Sequence, residues 1–568
     1  MFRLFFRKSR HRLSQKYKDI DPEDIFLDAK NLPGFDEHHF EGRIEKPVGS
    51  LTFTLVKIFL ILIILVLMSK LWVLGVKDGD LYARISENNR LEHTTIFANR
   101  GVIYDRNNLV LASNATRESG EDFAEREYAP MSGLAHVVGY VKYPSVDSSG
   151  KYYEVNYRGQ DGAERLYEDV IMGVNGLRLR ETDALGEIMS ESVIAKPKDG
   201  EPLYLSIDAR VTSTLYGLIK SLAEDRGFTG GAGAIMDVHT GELIALTSYP
   251  EYDQNILTSG RDTELINKYL RSNSKPFLNR AIGGLYTPGS IVKPVIALAA
   301  LQENIISPEK KILSTGSITV PNPYDPSKPS IFKDWKAHGW TDMREAIAVS
   351  SDTYFYSIGG GYEKQKGLGI SLLDKYFSLF GIDELTGIEF SGEARGVIPT
   401  PAWKKERFNG DIWRLGDTYI TSIGQFGTLM TPINALRMVS ALANGGKFLE
   451  PSILLGGVDD PVTRKIDISP EAHKVVLEGM RGAVTYGTAL GLNVPYVKIA
   501  SKTGTAEIGA AKKYVHSWST GFFPYENPRY AFVVLMEKGP SENLQGATGV
   551  VRRLVDWMSV NSPEYFEG

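Results

Sequence analysis

The run Tyr286-Thr-Pro-Gly-Ser-Ile-Val-Lys-Pro294 sets a serine and a lysine three residues apart where an apolar helical segment begins. A lysine at i+3 shares the helical face of the serine and can reach its hydroxyl. An amine held in an apolar site or near another cation can stay neutral near pH 7 and act as a base. The chemistry this suggests is acyl transfer through Ser290, with Lys293 as its activator. Taken alone, the tetrad reads equally well as an N-cap serine followed by a snorkelling lysine. Ser148/Lys151, Ser272/Lys275, Ser307/Lys310 and Ser330/Lys333 share the same spelling. Only Ser290 combines a preceding Pro288-Gly289 turn with a following apolar run, Ile291, Val292, Val295, Ile296, Leu298 and Leu301. Pro294 falls in the first helical turn, where its missing N–H has no internal partner to lose.

Two downstream segments give the tetrad its meaning. Val349-Ser-Ser-Asp-Thr-Tyr-Phe-Tyr356 supplies a second hydroxyl cluster, and Ile499-Ala-Ser-Lys-Thr-Gly-Thr-Ala506 supplies Lys-Thr-Gly on a strand-like run. Three such elements in this order match the serine acyl-transferase signature of penicillin-binding proteins and β-lactamases. The nine histidines offer no competing base: His239, His338, His473 and His516 lie in no hydrolase motif. The more economical base is Lys293.

These residues need a scaffold. From Leu203 onward strands and helices alternate: Ala232–Ser248 reads as two strands about a turn at His239-Thr240-Gly241. Ser517–Phe523 and Tyr530–Met536 are further β-rich runs, and Thr548–Val560 is an amphipathic helix. With the Lys502 strand they predict an α+β domain, an antiparallel sheet flanked by helices with Ser290 on a helix beside it. Arg100-Gly-Val-Ile-Tyr-Asp-Arg-Asn107 and Gly173-Val-Asn-Gly-Leu-Arg-Leu-Arg-Glu181 read as Arg and Glu packed into a non-catalytic stalk.

With 568 residues, the chain is too long for one ordinary domain, and a net charge of -5 argues against nucleic acid as a partner. The absence of cysteine excludes disulfides, cysteine-ligated zinc and a thiol nucleophile. Leu51 to Gly75 is the one membrane-length apolar stretch, with Lys57 and Lys70 able to snorkel. It lies too far from Met1, without a small-residue cleavage site, for a signal peptide. Arg3, Arg7, Lys8, Arg10, Arg12, Lys16 and Lys18 make the tail before it basic, which predicts a cytoplasmic N-terminus. The expected division is a cytoplasmic tail 1–50, a transmembrane helix 51–75, a stalk 76–202 and a catalytic domain 203–568.

From the membrane segment to the C-terminus the chain resembles a class B penicillin-binding protein. Ser350-Ser-Asp-Thr-Tyr-Phe-Tyr356, with Asp at the third position, and Trp413-Arg-Leu-Gly-Asp417 resemble the elongation branch of that family; the septal paralogue is the alternative. The resemblance implies a penicillin-binding/serine β-lactamase-like transpeptidase domain on a dimerisation-type pedestal. It implies cross-linking of peptidoglycan stem peptides, covalent capture of β-lactam antibiotics and no cofactor. It implies location in the bacterial inner membrane, with a membrane-embedded glycan polymerase of the shape/elongation family and elongation-complex proteins as partners. In the implied chemistry, Lys293 takes the Ser290 proton, Ser350 relays a proton to the leaving amine, Lys502 holds the local field and Asp352 orients Lys293 or the substrate amide. Thr503, Gly504 and Thr505 bind substrate, and the amides of Ser290 and Thr505 form the oxyanion hole.

Several alternatives stay open. Ser351-Asp352-Thr353 is a second alignment of the middle motif, which would make Ser351 the reacting hydroxyl. Water in place of the acceptor amine would give a D,D-carboxypeptidase or β-lactamase. A penicillin-binding scaffold or sensor that activates a polymerase is the rival outside enzymes. Asp325, Asp334 and His338 hint at a metal, but the related zinc pattern includes a cysteine this chain lacks, so a surface loop is the expectation there.

Overall fold

The computed structural model describes residues 49–83, 91–116, 122–182, 188–322, 325, 327–509 and 511–566. The basic tail therefore lies outside the described residues except at its end. The chain divides into two units, Met1–Asn89 and Arg90–Gly568.

In the first unit, helix α1 (Ser50–Trp72) has no buried residue and carries both Lys57 and Lys70. Its 23 residues span about 34 Å at 1.5 Å per residue, enough for a bilayer core of about 30 Å. The apolar window within it has a mean hydropathy of 2.9. This is a helix long and apolar enough to be a single-pass anchor. One further π-helical turn, Val73–Lys77, extends it past the expected end at Gly75.

The second unit begins with a pedestal. Strands β1 (Leu91–Ile96), β2 (Gly176–Thr182) and β3 (Ile188–Ala195) form an antiparallel sheet with β2 in the middle. Within the arginine motif, Ile103–Tyr104 pairs with Val110–Asn114 on one side and, in parallel, with Leu203–Tyr204 on the other. Arg100 is buried here against Glu164, which also holds Arg126, whereas Arg178 and Arg180 of the second stalk segment are part-exposed and pair with Glu191.

The larger layer is built on a five-stranded antiparallel sheet. Helix α2 (Ala209–Arg226) leads into β4 (Gly230–Asp237) and β5 (Leu243–Tyr249). Strands β6 (Ala500–Ile508), β7 (Tyr514–Phe523) and β8 (Tyr530–Pro540) follow near the C-terminus, in the order β5-β4-β8-β7-β6. Side chains alternate between faces along each strand. Ile235, Phe532, Val534 and Met536 join one core with Val211, Leu215 and Ile219 of α2 and Val551 and Leu554 of helix α8 (Ala547–Asn561). Ala234, Met236, Val533 and Leu535 face the other core. Burial on both faces explains why these strands read as nearly unbroken apolar runs.

The second core holds α3 (Lys293–Gln302), α4 (Met343–Val349), α5 (Asp352–Gly360), α6 (Pro432–Ala443) and α7 (Pro470–Thr485). Helix α3 is buried on all sides from Lys293 to Ala300, which its lack of any polar stripe requires. The pedestal is clasped by the end of β5 and the segment after it. Thr247 Oγ1 donates to Gly133 O, the Glu251 carboxylate accepts from Gly133 and Ala135 N–H, and Gln254 donates to Gly139 O.

Candidate active site

Ser290 stands in a 3-10 turn, Gly289–Val292, that runs directly into α3. Sequence periodicity predicts an α-helix from the serine onward; the tighter turn places Ser290 and Lys293 more nearly in line, because residues i and i+3 eclipse in a 3-10 helix. Gly289 has φ +58°, a left-handed conformation suited to glycine. The turn is tied down by Gly289 N–H donating to Gly424 O (2.9 Å) and Trp518 Nε1 donating to Thr287 O (3.0 Å). Gly504 lies so close beneath it that a Cβ there would stand 2.7 Å from Pro288 O and 2.9 Å from Ile291 Cγ2.

Lys293 is fully buried and its three N–H donors are all engaged: Asp352 Oδ1 at 2.6 Å, Ser350 O at 2.9 Å and Ser350 Oγ at 3.2 Å. Catalytic hydrogen bonds in unliganded sites often form only with substrate in place, so the absence of a donor toward Ser290 is compatible with a catalytic pair. From the other side, Lys502 Nζ on β6 contacts the same Ser350 Oγ at 2.9 Å and Thr503 O at 2.8 Å. Burial, together with the charge of Lys293, pushes the Lys502 amine well below its ordinary pKa, against an opposing pull from Asp352. One hydroxyl is thus shared by two buried amines.

The two serines of the middle motif separate cleanly. Ser350 sits between α4 and α5 with φ 59° and ψ 42°, an uncommon conformation for a non-glycine residue and one that marks many functional sites. Its carbonyl is held by Lys293 and by Trp335 Nε1 (3.3 Å). Ser351 instead caps α5 through Tyr354 N–H and donates to Asp334 Oδ2 at 2.8 Å. The geometry places Ser350, not Ser351, between the lysines.

Thr503 donates its hydroxyl to Thr488 Oγ1 (2.7 Å), while Thr505 is exposed within the cleft. Ser290, Ser350, Asp352, Thr503, Gly504 and Thr505 line one cavity of about 790 Å³, together with Trp335 and the 541–552 segment. Asp417 of the Trp413–Asp417 motif is elsewhere, bound to the buried Lys404 Nζ at 2.6 Å.

The surface-loop expectation for the 325–338 region holds for Asp325 and fails for Asp334 and His338, whose side chains are buried. Asp325 is exposed and bound to Ser327 and Lys328. Asp334 is buried, and His338 Nε2 lies 3.4 Å from its Oδ1. The loop is drawn inward because the Asp334 carboxylate meets the unpaired amides at the start of α5. Four of its five hydrogen-bond donors lie 17 to 20 residues away in sequence, beyond any local period, and this is why sequence reading missed it. Among the described residues no cluster of three or more His, Asp or Glu is arranged to hold a metal ion.

A cleft-lining serine three residues before a buried lysine, a bridging hydroxyl and a Lys-Thr-Gly edge strand on a five-stranded antiparallel sheet define a class, the serine acyltransferases that react with penicillin. Residues 231–556 match the family described as penicillin binding protein transpeptidase domain, and residues 121–205 match the penicillin-binding protein dimerisation domain. The chain belongs to the penicillin-binding protein transpeptidase family. It is similar to the peptidoglycan D,D-transpeptidase MrdA of Salmonella typhimurium, 30% identical over 472 residues that cover 76% of this chain and 72% of that one. Among solved structures it is similar to the penicillin-binding protein PBP2 of Helicobacter pylori in complex with MreC (TM-score 0.68, 26% identity, 83% of this chain and 99% of that). A chain from a peptidoglycan synthase complex, whose description concerns coordination of polymerization and crosslinking, is equally similar (TM-score 0.68, 26% identity, 90% of this chain and 98% of that).

Proposed function

We propose that this chain is a D,D-transpeptidase that cross-links peptidoglycan stem peptides during wall elongation. The observation that carries the reading is the Ser350 hydroxyl, set between the amines of Lys293 and Lys502 in the cleft that also exposes Ser290. Ser290 Oγ attacks the carbonyl of the penultimate D-alanine, its proton passes to Lys293, and the C–N bond to the terminal D-alanine breaks as the nitrogen is protonated. An amine of a neighbouring stem then attacks the ester, loses a proton to the same relay and frees Ser290. The amides of Ser290 and Thr505 stabilise the oxyanion, while Thr503 and Thr505 face the terminal carboxylate over Gly504.

Lys293 must be neutral to accept the serine proton, yet it is ion-paired with Asp352 at 2.6 Å. The depressed Lys502 amine answers this need: it takes a proton from Lys293 through Ser350 Oγ, which donates to Lys502 as it receives from Lys293. Lys502 is therefore assigned the neutral end of the relay rather than a fixed positive field.

Tail 1–50, span 51–75, pedestal 76–202 and transpeptidase domain 203–568 are the working parts. The chain is anchored in the bacterial cytoplasmic membrane with its N-terminus inside and the cleft outside. A membrane-embedded glycan polymerase of the shape/elongation family and elongation-complex proteins are its partners, by likeness to relatives solved with MreC and in a synthase complex. Incubation with a fluorescent penicillin should label the wild type and leave Ser290→Ala unlabelled; a covalently labelled Ser290→Ala protein would show another nucleophile. Depletion in cells should give rounding, whereas filaments would reassign the chain to division.

A further inference from the structure

The Asp334 carboxylate has no place in the reaction above, yet it is among the most heavily engaged acceptors beside the cleft. Its Oδ2 accepts from Ser351 Oγ at 2.8 Å, Thr353 N–H at 3.0 Å and Ser314 Oγ at 3.0 Å. Its Oδ1 accepts from Asp352 N–H at 3.0 Å and from Trp335 N–H at 2.9 Å. Three of these five donors belong to consecutive residues of the middle motif, 351 to 353. A fourth belongs to Trp335, whose indole N–H in turn holds Ser350 O. Both ends of the reacting segment are thereby pinned to one carboxylate: Asp352, which holds Lys293, and Ser350, which bridges the lysines. Burial alone would raise the Asp334 pKa, but the Thr353 and Asp352 amides, the Ser351 hydroxyl and the Lys293 charge outweigh it and hold the group ionised. His338 backs the carboxylate, and its own pKa is lowered by burial, so it adds no fixed positive charge.

We propose that Asp334 is a positioning residue for acyl transfer: it fixes the left-handed turn at Ser350 and the start of α5, so that Ser350 Oγ and Asp352 Oδ1 meet the two lysine amines. This rests on the proposed reading of Ser290 as nucleophile. A neutral amide at 334 presents an N–H₂ to donors that need an acceptor, which loosens the turn without removing any group that touches substrate. Displacements of about 1 Å in such settings cost on the order of 100-fold in rate.

The test is rapid-mixing acylation of the full-length detergent-solubilised protein by a fluorescent penicillin, separating the acylation constant from the preceding binding constant. Asp334→Asn should acylate about 100-fold more slowly while binding changes by less than about 3-fold. Phe377→Leu, a core change at a residue that does not line the cleft, controls for lost stability and should acylate at the wild-type rate. A wild-type acylation constant in Asp334→Asn, or an equal loss in a Phe377→Leu protein of the same melting temperature, overturns the inference. Should Asp334→Asn lack a cooperative melt, Ser351→Ala takes its place, with a loss of about 10-fold expected; a folded Ser351→Ala protein acylating normally overturns the inference as well. Labelling of Ser290→Ala would sink the nucleophile assignment, and this inference with it. An unlabelled Ser290→Ala protein alongside a fully active Asp334→Asn protein would sink the positioning role alone.

Discussion

The pedestal and the cleft each bury two basic side chains, and they treat them in opposite ways. In the pedestal, Arg100 and Arg126 share Glu164 through Nε contacts of 2.5 and 2.8 Å, and Arg100 adds a two-pronged contact to Glu168. Two guanidinium groups face two carboxylates, with Glu164 O and Gly101 O taking further N–H donors. Burial would raise the Glu164 carboxyl, but Arg126 and Arg100 hold it below its ordinary pKa. In the cleft, two lysines have one carboxylate in contact, and that one binds only Lys293. Lys502 is left with a hydroxyl and a carbonyl, and its pKa falls. Arginine cannot shed its proton and lysine can. Buried charge that is fully paired builds a fixed joint; a buried amine left one partner short has its proton affinity lowered, as the proposed relay requires.

Five substitutions would break or sharpen this contrast. The largest effect is expected at Lys293→Ala, which removes the base and should lower penicillin acylation by about 10³- to 10⁴-fold with the fold retained; acylation within 10-fold of wild type would deny it the role. Next is Glu164→Gln in the pedestal. It leaves two arginines short of a counter-charge and should cost about 3–5 kcal/mol of stability in denaturant titration, while the surviving folded protein acylates normally. A selective loss of acylation there would mean that the joint governs the cleft. Third, Gly504→Ala forces a Cβ against Pro288 O and should slow acylation on the order of 100-fold by displacing the Ser290 turn, with a smaller change in melting temperature.

The smallest effect is a gain. Because Lys502 has a depressed pKa when folded, the unfolded chain binds the extra proton, and the group costs stability at low pH, a cost that fades as pH rises toward the ordinary lysine value. Lys502→Met should therefore raise thermal stability by roughly 1–2 kcal/mol near neutral pH, less above pH 10, while acylation is lost. For the wild type, acylation should fall as pH drops through the lowered Lys502 pKa, and Asp352→Asn should move that fall to still lower pH, since Asp352 is the group that raises it. Unchanged stability in Lys502→Met across this range would mean that the amine is not held short of a partner.

Much of this architecture is legible along the chain, for a local reason. The Pro288-Gly289 turn, the apolar run of α3, the paired strands about Gly241 and the long strands β7 and β8 each announce themselves within a dozen residues through turn chemistry and periodicity. So do the membrane-length helix and the three reactive segments. The 3-10 start of the nucleophile turn differs from the expected α-helix because Gly424 and Thr505 crowd its backbone, a constraint from residues far along the chain.

What the sequence by itself determined is the inventory: a serine with a lysine one turn on, a hydroxyl–carboxylate pair, a lysine on a strand, and the strands and helices to carry them. Only the tertiary structure decided which of Ser350 and Ser351 faces the lysines, which lysine lacks a carboxylate, and that Asp334 belongs behind the cleft rather than in a surface loop. The reason is distance along the chain. The Lys293–Ser350 and Lys502–Ser350 contacts join residues 57 and 152 positions apart. Desolvation, which sets the Lys502 proton affinity, is a property of everything packed around the amine and is absent until the chain has folded.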